Sequence, residues 1–255
     1  MSKIYFASDM HLGFPTREKS IVREKRIVRW LDQIIDDADE LYLVGDIFDF
    51  WFEYKHVVPR GYTRFLGKIA EFADRGIPVH FFTGNHDVWV FDYLKSELGV
   101  QVYRKPVTHT IDGKVFHIGH GDGLGSGDWS FKLLKRIFTS GILQWMFARI
   151  HPNAAVGFAH RWSRHSRYSK GIEAEAFIPE KEHLVRYLED HQQNEPCDYY
   201  IFGHRHMPLI HRVSNAVYAN LGDWITHFTF AEWSDNRLKI KHFSENDEMV
   251  IVDEA

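Results

Sequence analysis

The stretch Ile77-Pro78-Val79-His80-Phe81-Phe82-Thr83-Gly84-Asn85-His86-Asp87 is an apolar run that stops at a glycine and hands a carboxamide, an imidazole and a carboxylate to a loop. Groups placed where a strand opens to solvent serve metal binding or catalysis. Two upstream segments share the design: Phe6-Ala7-Ser8-Asp9-Met10-His11 and Leu43-Val44-Gly45-Asp46-Ile47-Phe48-Asp49 each run apolar into Asp. Two downstream segments, Ile118-Gly119-His120-Gly121-Asp122 and Ile201-Phe202-Gly203-His204-Arg205-His206, run apolar into His. Five strand ends thus offer Asp9, His11, Asp46, Asn85, His120, His204 and His206 to one place.

The intervals between these ends predict the fold. Lys3 to Ser8 and Leu41 to Gly45 read as buried strands, and Glu18 to Ile35 and Tyr62 to Arg75 as helices, the first carrying Ile21, Val22, Ile27, Val28, Leu31, Ile34 and Ile35 at helical spacing. Strand alternating with helix implies a mainly parallel sheet with helices on its faces. Val88 to Leu98 suits a short helix, and Val102-Tyr103, Val107 to Ile111 and Val115 to Ile118 suit short strands, with Asp112-Gly113 as a tight turn. The late strands Tyr199 to Gly203, Leu209 to Val213, Val217 to Leu221, Phe228 to Trp233 and Leu238 to Phe243 are expected to form a second sheet, and Glu245 to Ala255 a tail. The expectation is an α/β chain: two mixed β-sheets packed together and flanked by helices, one domain over 1–255 with a helical cap inserted at 123–178.

That insert breaks the rhythm. Trp129 to Ile172 holds eight Lys and Arg and no Asp or Glu, so it carries +8 while the rest carries −12, against a net charge of −4. Its apolar residues, Phe131, Leu134, Phe138, Trp145 and Phe147 among them, support one helix broken near Gly141 and a second from Asn153 toward Ser169. A basic and apolar insert suits an anionic amphiphile or an anionic membrane surface. The aromatic run Phe48 to Tyr54 reads equally as a hydrophobic plug and as a substrate wall.

Composition narrows the classes. With 44% hydrophobic residues over 255, the chain can bury a full core. One Cys and no charged-then-apolar leader predict a reducing, cytoplasmic setting, and no apolar stretch is long enough to span a bilayer. Overall negative charge argues against nucleic acid as partner.

Carboxylate, carboxamide and imidazole are donors for hard or borderline divalent ions, most simply Mn2+, with Fe2+ or Zn2+ as alternatives. Seven donors around a shared carboxylate fit two ions better than one. Asp9, His11, Asp46 and His206 are expected to hold one, and Asp46, Asn85, His120 and His204 the other, with water activated between them for attack on phosphorus. His86 is expected to face the phosphate as electrostatic stabiliser or general acid, and Asp87 to orient an imidazole by accepting its second ring proton.

Each fragment alone is an ordinary turn. In the order Asp-x-His, Gly-Asp, Gly-Asn-His-Asp, Gly-His, Gly-His-x-His, each after a strand, they resemble the calcineurin-like metallophosphoesterases. That resemblance implies a four-layer sandwich and a two-metal site. Ser8-Asp9-Met10-His11-Leu12-Gly13, His120-Gly121-Asp122-Gly123 and the helical insert are similar, more narrowly, to the branch that cleaves the diphosphate of a lipid-linked nucleotide sugar, UDP-2,3-diacylglucosamine. By that resemblance UMP leaves and 2,3-diacylglucosamine 1-phosphate stays at the inner membrane surface, where the enzyme is peripheral on the cytoplasmic face. It further implies that the insert's apolar faces hold acyl chains, and that Asn85, His86, Asp122, His204, Ser163, Arg167 and Lys170 meet the sugar or diphosphate. Many members of that branch carry Arg after the Asn, where this chain has His86 of the wider family. The competing reading is a soluble phosphodiesterase or phosphatase. A scaffold without chemistry is disfavoured, since all seven donors are present.

Overall fold

The first strand, β1 (Ile4–Ala7), sets the layering because it is buried on both faces. In the computed structural model, which describes residues 2–125, 129–157 and 177–255, its side chains alternate with the strand period of two. Ile4 and Phe6 face a second sheet, packing with Phe116, Ile118 and Ile201. Tyr5 and Ala7 face helices, packing with Ile27, Trp30 and Leu31.

Parallel to β1 on one side lie β2 (Glu40–Val44), β3 (Val79–Phe82) and β4 (Gln101–Tyr103). On its other side, antiparallel, lie β10 (Thr229–Ser234), β11 (Arg237–Phe243) and β12 (Met249–Glu254). The second sheet comprises β5 (Val107–Ile111), β6 (Lys114–Ile118), β7 (Tyr199–Phe202), β9 (Ala216–Leu221) and β8 (Pro208–Val213), in that spatial order.

Helices cover both outer faces. α1 (Arg17–Ile34) starts at Thr16, whose hydroxyl accepts from the Lys19 N–H at 3.4 Å. It buries Ile27, Trp30, Leu31 and Ile34 completely, the spacing of a single helical stripe, at about 1.5–3 kcal/mol per side chain. α2 (Thr63–Asp74) and α3 (Tyr93–Leu98) add Phe65, Ile69, Phe72 and Leu94 to that layer. On the other face, α6 (His183–Asn194) buries Leu184, Val185 and Leu188 against Tyr200, Phe202 and Tyr218. The order helix, sheet, sheet, helix is the expected sandwich.

Three details differ from the sequence reading. The late strands do not share one sheet: β10 pairs with β1, Tyr5 opposite Glu232, because alternation marks a strand but not its partner. Glu245 to Ala255 is no simple tail, since β12 closes the edge of the first sheet while exposing Val250, Ile251 and Val252. The helix within Val88 to Leu98 is confined to α3, whose first N–H groups, from Asp92 and Tyr93, donate to Glu53 Oε2 at 2.6 and 3.1 Å.

The insert begins with α4 (Trp129–Phe138) and α5 (Gly141–Phe147), parted at Thr139-Ser140. A further helical turn spans 152–157. The rest of the helix expected toward Ser169 lies outside the described residues.

Candidate metal centre

The parallel strands β1, β2 and β3 of one sheet and β6 and β7 of the other bring their C-terminal ends to one rim, where Asp9, His11, Asp46, His120, His204 and His206 stand against one another and Asn85 lies between Gly84 and His86, both of which meet Asp46. The backbone is unusual at that point. Asp9, His11, Asp46, His204 and His206 all have positive φ, between 42° and 67°, a left-handed conformation that Asp and His tolerate better than most residues but that still costs about 1–3 kcal/mol each.

Three strand-end glycines are required by what lies against them. A Cβ on Gly45 would meet His120 Nδ1 at 2.5 Å, one on Gly84 would meet Asp46 Oδ1 at 2.2 Å, and one on Gly203 would meet Asp9 Oδ2 at 2.5 Å. Each glycine lets a neighbouring strand deliver its polar group closely.

Donor spacing is that of coordination spheres. His206 Nε2 lies 3.2 Å from Asp9 Oδ1 and 3.3 Å from His11 Nε2, and His11 Nε2 lies 3.6 Å from Asp9 Oδ1. Metal–donor bonds of about 2.0–2.2 Å separate neighbouring donors by roughly 3.0–3.5 Å. Asp46 Oδ1 accepts from the His86 N–H at 2.8 Å, which turns Oδ2 inward, 3.7 Å from His11 Nε2 and 3.3 Å from His120 Nε2. One oxygen therefore faces both donor groups. His204 donates its backbone N–H to Asp9 Oδ2 at 3.0 Å, and its ring stands edge-on to His120, centroids 5.2 Å apart.

The donors suit divalent cations. Asp9 Oδ1, Asn85 Oδ1 and His120 Nε2 are buried with no hydrogen-bond partner, a state that costs about 1–3 kcal/mol per atom unless something else is bound. Asp9 and Asp46 are 0 and 2% exposed, and among the described residues their ion-pair partners are imidazoles only. Burial pushes the Asp9 carboxyl up, against the pull of His206 and His120. Burial also raises that of Asp46, but the positive charge of His120, His86 and His11 outweighs it and holds the group well below the usual carboxylate range. A divalent cation would take the place of that imidazolium charge, held by the buried carboxylate oxygens and by the ring nitrogens in their neutral form.

Second partners fix the rings. His120 Nδ1 donates to the Val44 carbonyl at 2.9 Å, which leaves Nε2 as the inward lone pair. His206 Nδ1 donates to Asp223 Oδ2 at 3.1 Å. Burial raises the Asp223 carboxyl, yet hydrogen bonds from His206, His227 and the backbone hold it far below the ordinary carboxylate range. His204 is pushed down to about 4 by burial and by repulsion from His120.

Asp87 does not orient an imidazole as expected. It is fully buried, and its carboxylate accepts backbone N–H groups of Gly84 at 2.7 Å, Ile47 at 2.8 Å and Phe48 at 3.3 Å. It ties the Asn85 loop to the Asp46 loop, while burial and the charge of Asp46 push it up to about 7. The residue beside the imidazoles is Asp49, whose Oδ1 is 3.7 Å from both His11 Nδ1 and His86 Nδ1. Sequence reading missed its role, although its place three residues after Asp46 was the available signal. His86 Nδ1 donates to the Asp49 carbonyl at 2.9 Å, which leaves Nε2 as its other ring nitrogen.

Asp122, expected at the substrate, is 4% exposed and paired with Lys135 of α4 at 2.6 Å. It fastens the insert to the His120 loop. Ser163, Arg167 and Lys170 lie outside the described residues. The aromatic run divides: Phe48 and Trp51 plug the core beside Tyr62 and Phe65, whereas Phe50 and Phe52 meet Phe147 of α5, ring centroids 6.3 and 4.8 Å away. Another donor group, His117, His191 and Cys197, lies between β6 and α6, but its imidazoles are already hydrogen-bonded to Thr108, Tyr187 and Tyr200.

Residues 2–208 match the calcineurin-like phosphoesterase family model. The chain is 39% identical to the UDP-2,3-diacylglucosamine hydrolase of Porphyromonas gingivalis, over 96% of this chain and 98% of that one. It is 27% identical to the enzyme of the same name from Edwardsiella ictaluri, over 87% and 85%. A solved phosphoesterase structure from E. coli covers 99% of this chain and 98% of its own at 14% identity, with a TM-score of 0.49. On the extent of the family match and the 39% identity, the chain belongs to the calcineurin-like phosphoesterases, hydrolases that work with divalent metal ions.

Proposed function

We propose that this hydrolase cleaves the diphosphate of UDP-2,3-diacylglucosamine, with water attacking the α-phosphorus, to give UMP and 2,3-diacylglucosamine 1-phosphate for lipid A assembly. Asp9, His11, Asp46 and His206 would hold one divalent ion and Asp46, Asn85, His120 and His204 a second, Mn2+ being the simplest choice. The observation that carries this reading is Asp46 Oδ2, the one oxygen turned toward both donor groups. For the substrate, support comes from the near-full-length likeness to the Porphyromonas enzyme and from the exposed apolar side chains of α4 and α5 beside the centre.

Bound there, the ions supply Lewis-acid charge that polarises phosphoryl oxygens and makes water acidic enough to attack at neutral pH. The protein's residues do the rest. The backbone hydrogen bonds of Asp87 hold the Asn85 and Asp46 loops in register. His86, with Nδ1 committed to the Asp49 carbonyl, presents Nε2 to a phosphoryl oxygen and stabilises its growing charge or delivers a proton to the leaving phosphate. As the new P–O bond forms in line, the bond to the bridging oxygen breaks and the sugar phosphate departs. Phe50, Phe52 and Trp89 anchor α5 through Phe147, and the exposed Ile142, Leu143, Trp145 and Met146 meet acyl chains or the cytoplasmic face of the inner membrane. No helix among the described residues is long and apolar enough to cross a membrane, so attachment is peripheral on this reading.

The test is turnover of UDP-2,3-diacylglucosamine in mixed micelles with Mn2+ and 18O-water. Label in UMP is the expected result. Label in the sugar phosphate, or no UMP from metal-loaded protein, overturns the proposal. His86→Ala should keep its metal content and lose about 10²-fold or more in kcat. A fall in metal per chain instead would make His86 a ligand, since its ring also stands within 4.8 Å reach of the His11 and Asp46 donor atoms.

A further inference from the structure

Next to the metal centre lies a hollow of about 500 Å³ that the mechanism leaves unused. It opens between the turn after His11, the start of α1 and the 60–64 turn before α2. Asp49, the residue shared by His11 and His86, forms part of its wall, so the hollow and the reacting centre adjoin.

Its lining has a definite chemistry. Arg17, Arg60 and Arg64 contribute three guanidinium groups, all on exposed residues, and none makes an ion pair among the described residues. The two wall carboxylates are already engaged: Glu24 Oε1 accepts from the Arg64 and Phe65 N–H groups at 3.0 and 3.2 Å, and Asp49 faces the imidazoles. Arg17 is the first residue of α1, where the helix dipole favours an anion and opposes a cation. Its charge and the helix end thus draw the same ligand. Phe14, Ile21 and Tyr62 supply an apolar and aromatic portion of the same wall.

We infer that this hollow seats the nucleoside half of the substrate, the uracil against Phe14, Ile21 and Tyr62, its carbonyl oxygens within reach of Arg17, Arg60 and Arg64, and the α-phosphate at the mouth where the hollow meets the metal centre, drawn there by the same positive charge. The inference rests on the proposed reaction, which puts a mononucleotide on one side of the reacting phosphorus and a diacylated sugar on the other. Guanidinium groups are expensive company for alkyl chains, and the exposed apolar side chains of α4 and α5 belong to the insert, so the two halves sort by polarity. The volume falls in the range of small-ligand sites, about 300–1,000 Å³, and planar guanidinium suits both phosphate and carbonyl oxygens.

The experiment measures binding, not turnover. Calorimetry on the metal-loaded chain compares UMP with inorganic phosphate, which reaches the metal centre but has no nucleoside. UMP should bind about tenfold tighter or more, and a triple Arg17→Ala, Arg60→Ala, Arg64→Ala variant should lose most of that margin, while Arg→Lys at the same positions restores part of it. No margin in the unaltered chain, or an unchanged margin in the alanine variant with its metal content intact, overturns the subsite. Failure of the substrate proposal is separable: a chain that never cleaves UDP-2,3-diacylglucosamine but shows an arginine-dependent margin for UMP keeps the subsite and loses only that substrate.

Discussion

The metal centre and the α4–α5 insert obey opposite rules. At the centre the frame around the donor atoms is fixed: left-handed backbone at five donors, glycines that admit His120, Asp46 and Asp9 at contact distance, and carboxylates tied to backbone N–H groups. Among the described residues the insert is attached at separate points, including the Asp122–Lys135 pair, the Trp89 Nε1 hydrogen bond to the Phe138 carbonyl at 2.6 Å, the Tyr54 hydroxyl on the Ile150 carbonyl, and the Phe147 ring. It turns Ile142, Leu133, Trp145 and Met146 outward at 74, 61, 58 and 55% exposure. Preorganised charge serves a reaction whose charges develop at fixed points. An uncovered apolar surface is unfavourable in water, and on the function proposed above acyl chains or lipid would cover it.

The sharpest way to break this contrast is at the shared oxygen. Asp46→Asn keeps a residue that tolerates positive φ and retains an oxygen for the His86 N–H, so folding should survive. Turnover should fall by about 10³-fold, with metal per chain dropping below that of the parent in elemental analysis. Full metal content in the variant would show that Oδ2 bridges nothing. A smaller effect is expected one shell outward, where Asp223→Asn weakens the acceptor that orients His206. Metal affinity should drop about 10–100-fold, read by competition with a chelator, while saturating metal restores most of kcat. An unchanged affinity would mean that packing alone sets the ring.

These two regions also differ in how far the sequence revealed them. Chemistry that needs Asp, Asn and His directly after strands leaves a one-dimensional trace, and the glycine before Asp46, Asn85, His120, His204 marks where side chains crowd. The family likeness and the layered α/β sandwich followed from that trace. Pairing partners did not, because a strand such as β10 has the same alternation whichever sheet receives it. Asp87 was misassigned because a carboxylate beside an imidazole in sequence looks like a partner for it, whereas in space three backbone N–H groups claim it. Asp49 and Asp223 stand beside strand ends in the sequence, a signal for a supporting role, but which rings they meet depends on distant segments and is visible only in the fold. For the insert, composition gave helices and charge, but whether an apolar residue faces inward, as Phe147 does, or outward, as Trp145 does, was invisible two residues apart.

The smallest expected effect separates those two residues. Trp145→Ser together with Met146→Ser removes outward apolar surface and leaves Phe147 in its aromatic pocket, so thermal stability should move by at most about 0.5 kcal/mol, as for exposed positions generally. Sedimentation with anionic vesicles should nevertheless weaken several-fold, at roughly 25 cal/mol for each Å² of apolar surface no longer covered. Phe147→Ala is the counterpart, expected to lower stability first, because it empties a ring site shared by Phe50, Phe52 and Trp89. Should both variants lose vesicle binding and stability in the same proportion, the outward residues would be part of the protein's own packing, and the contrast between a self-contained centre and a surface built for another phase would collapse.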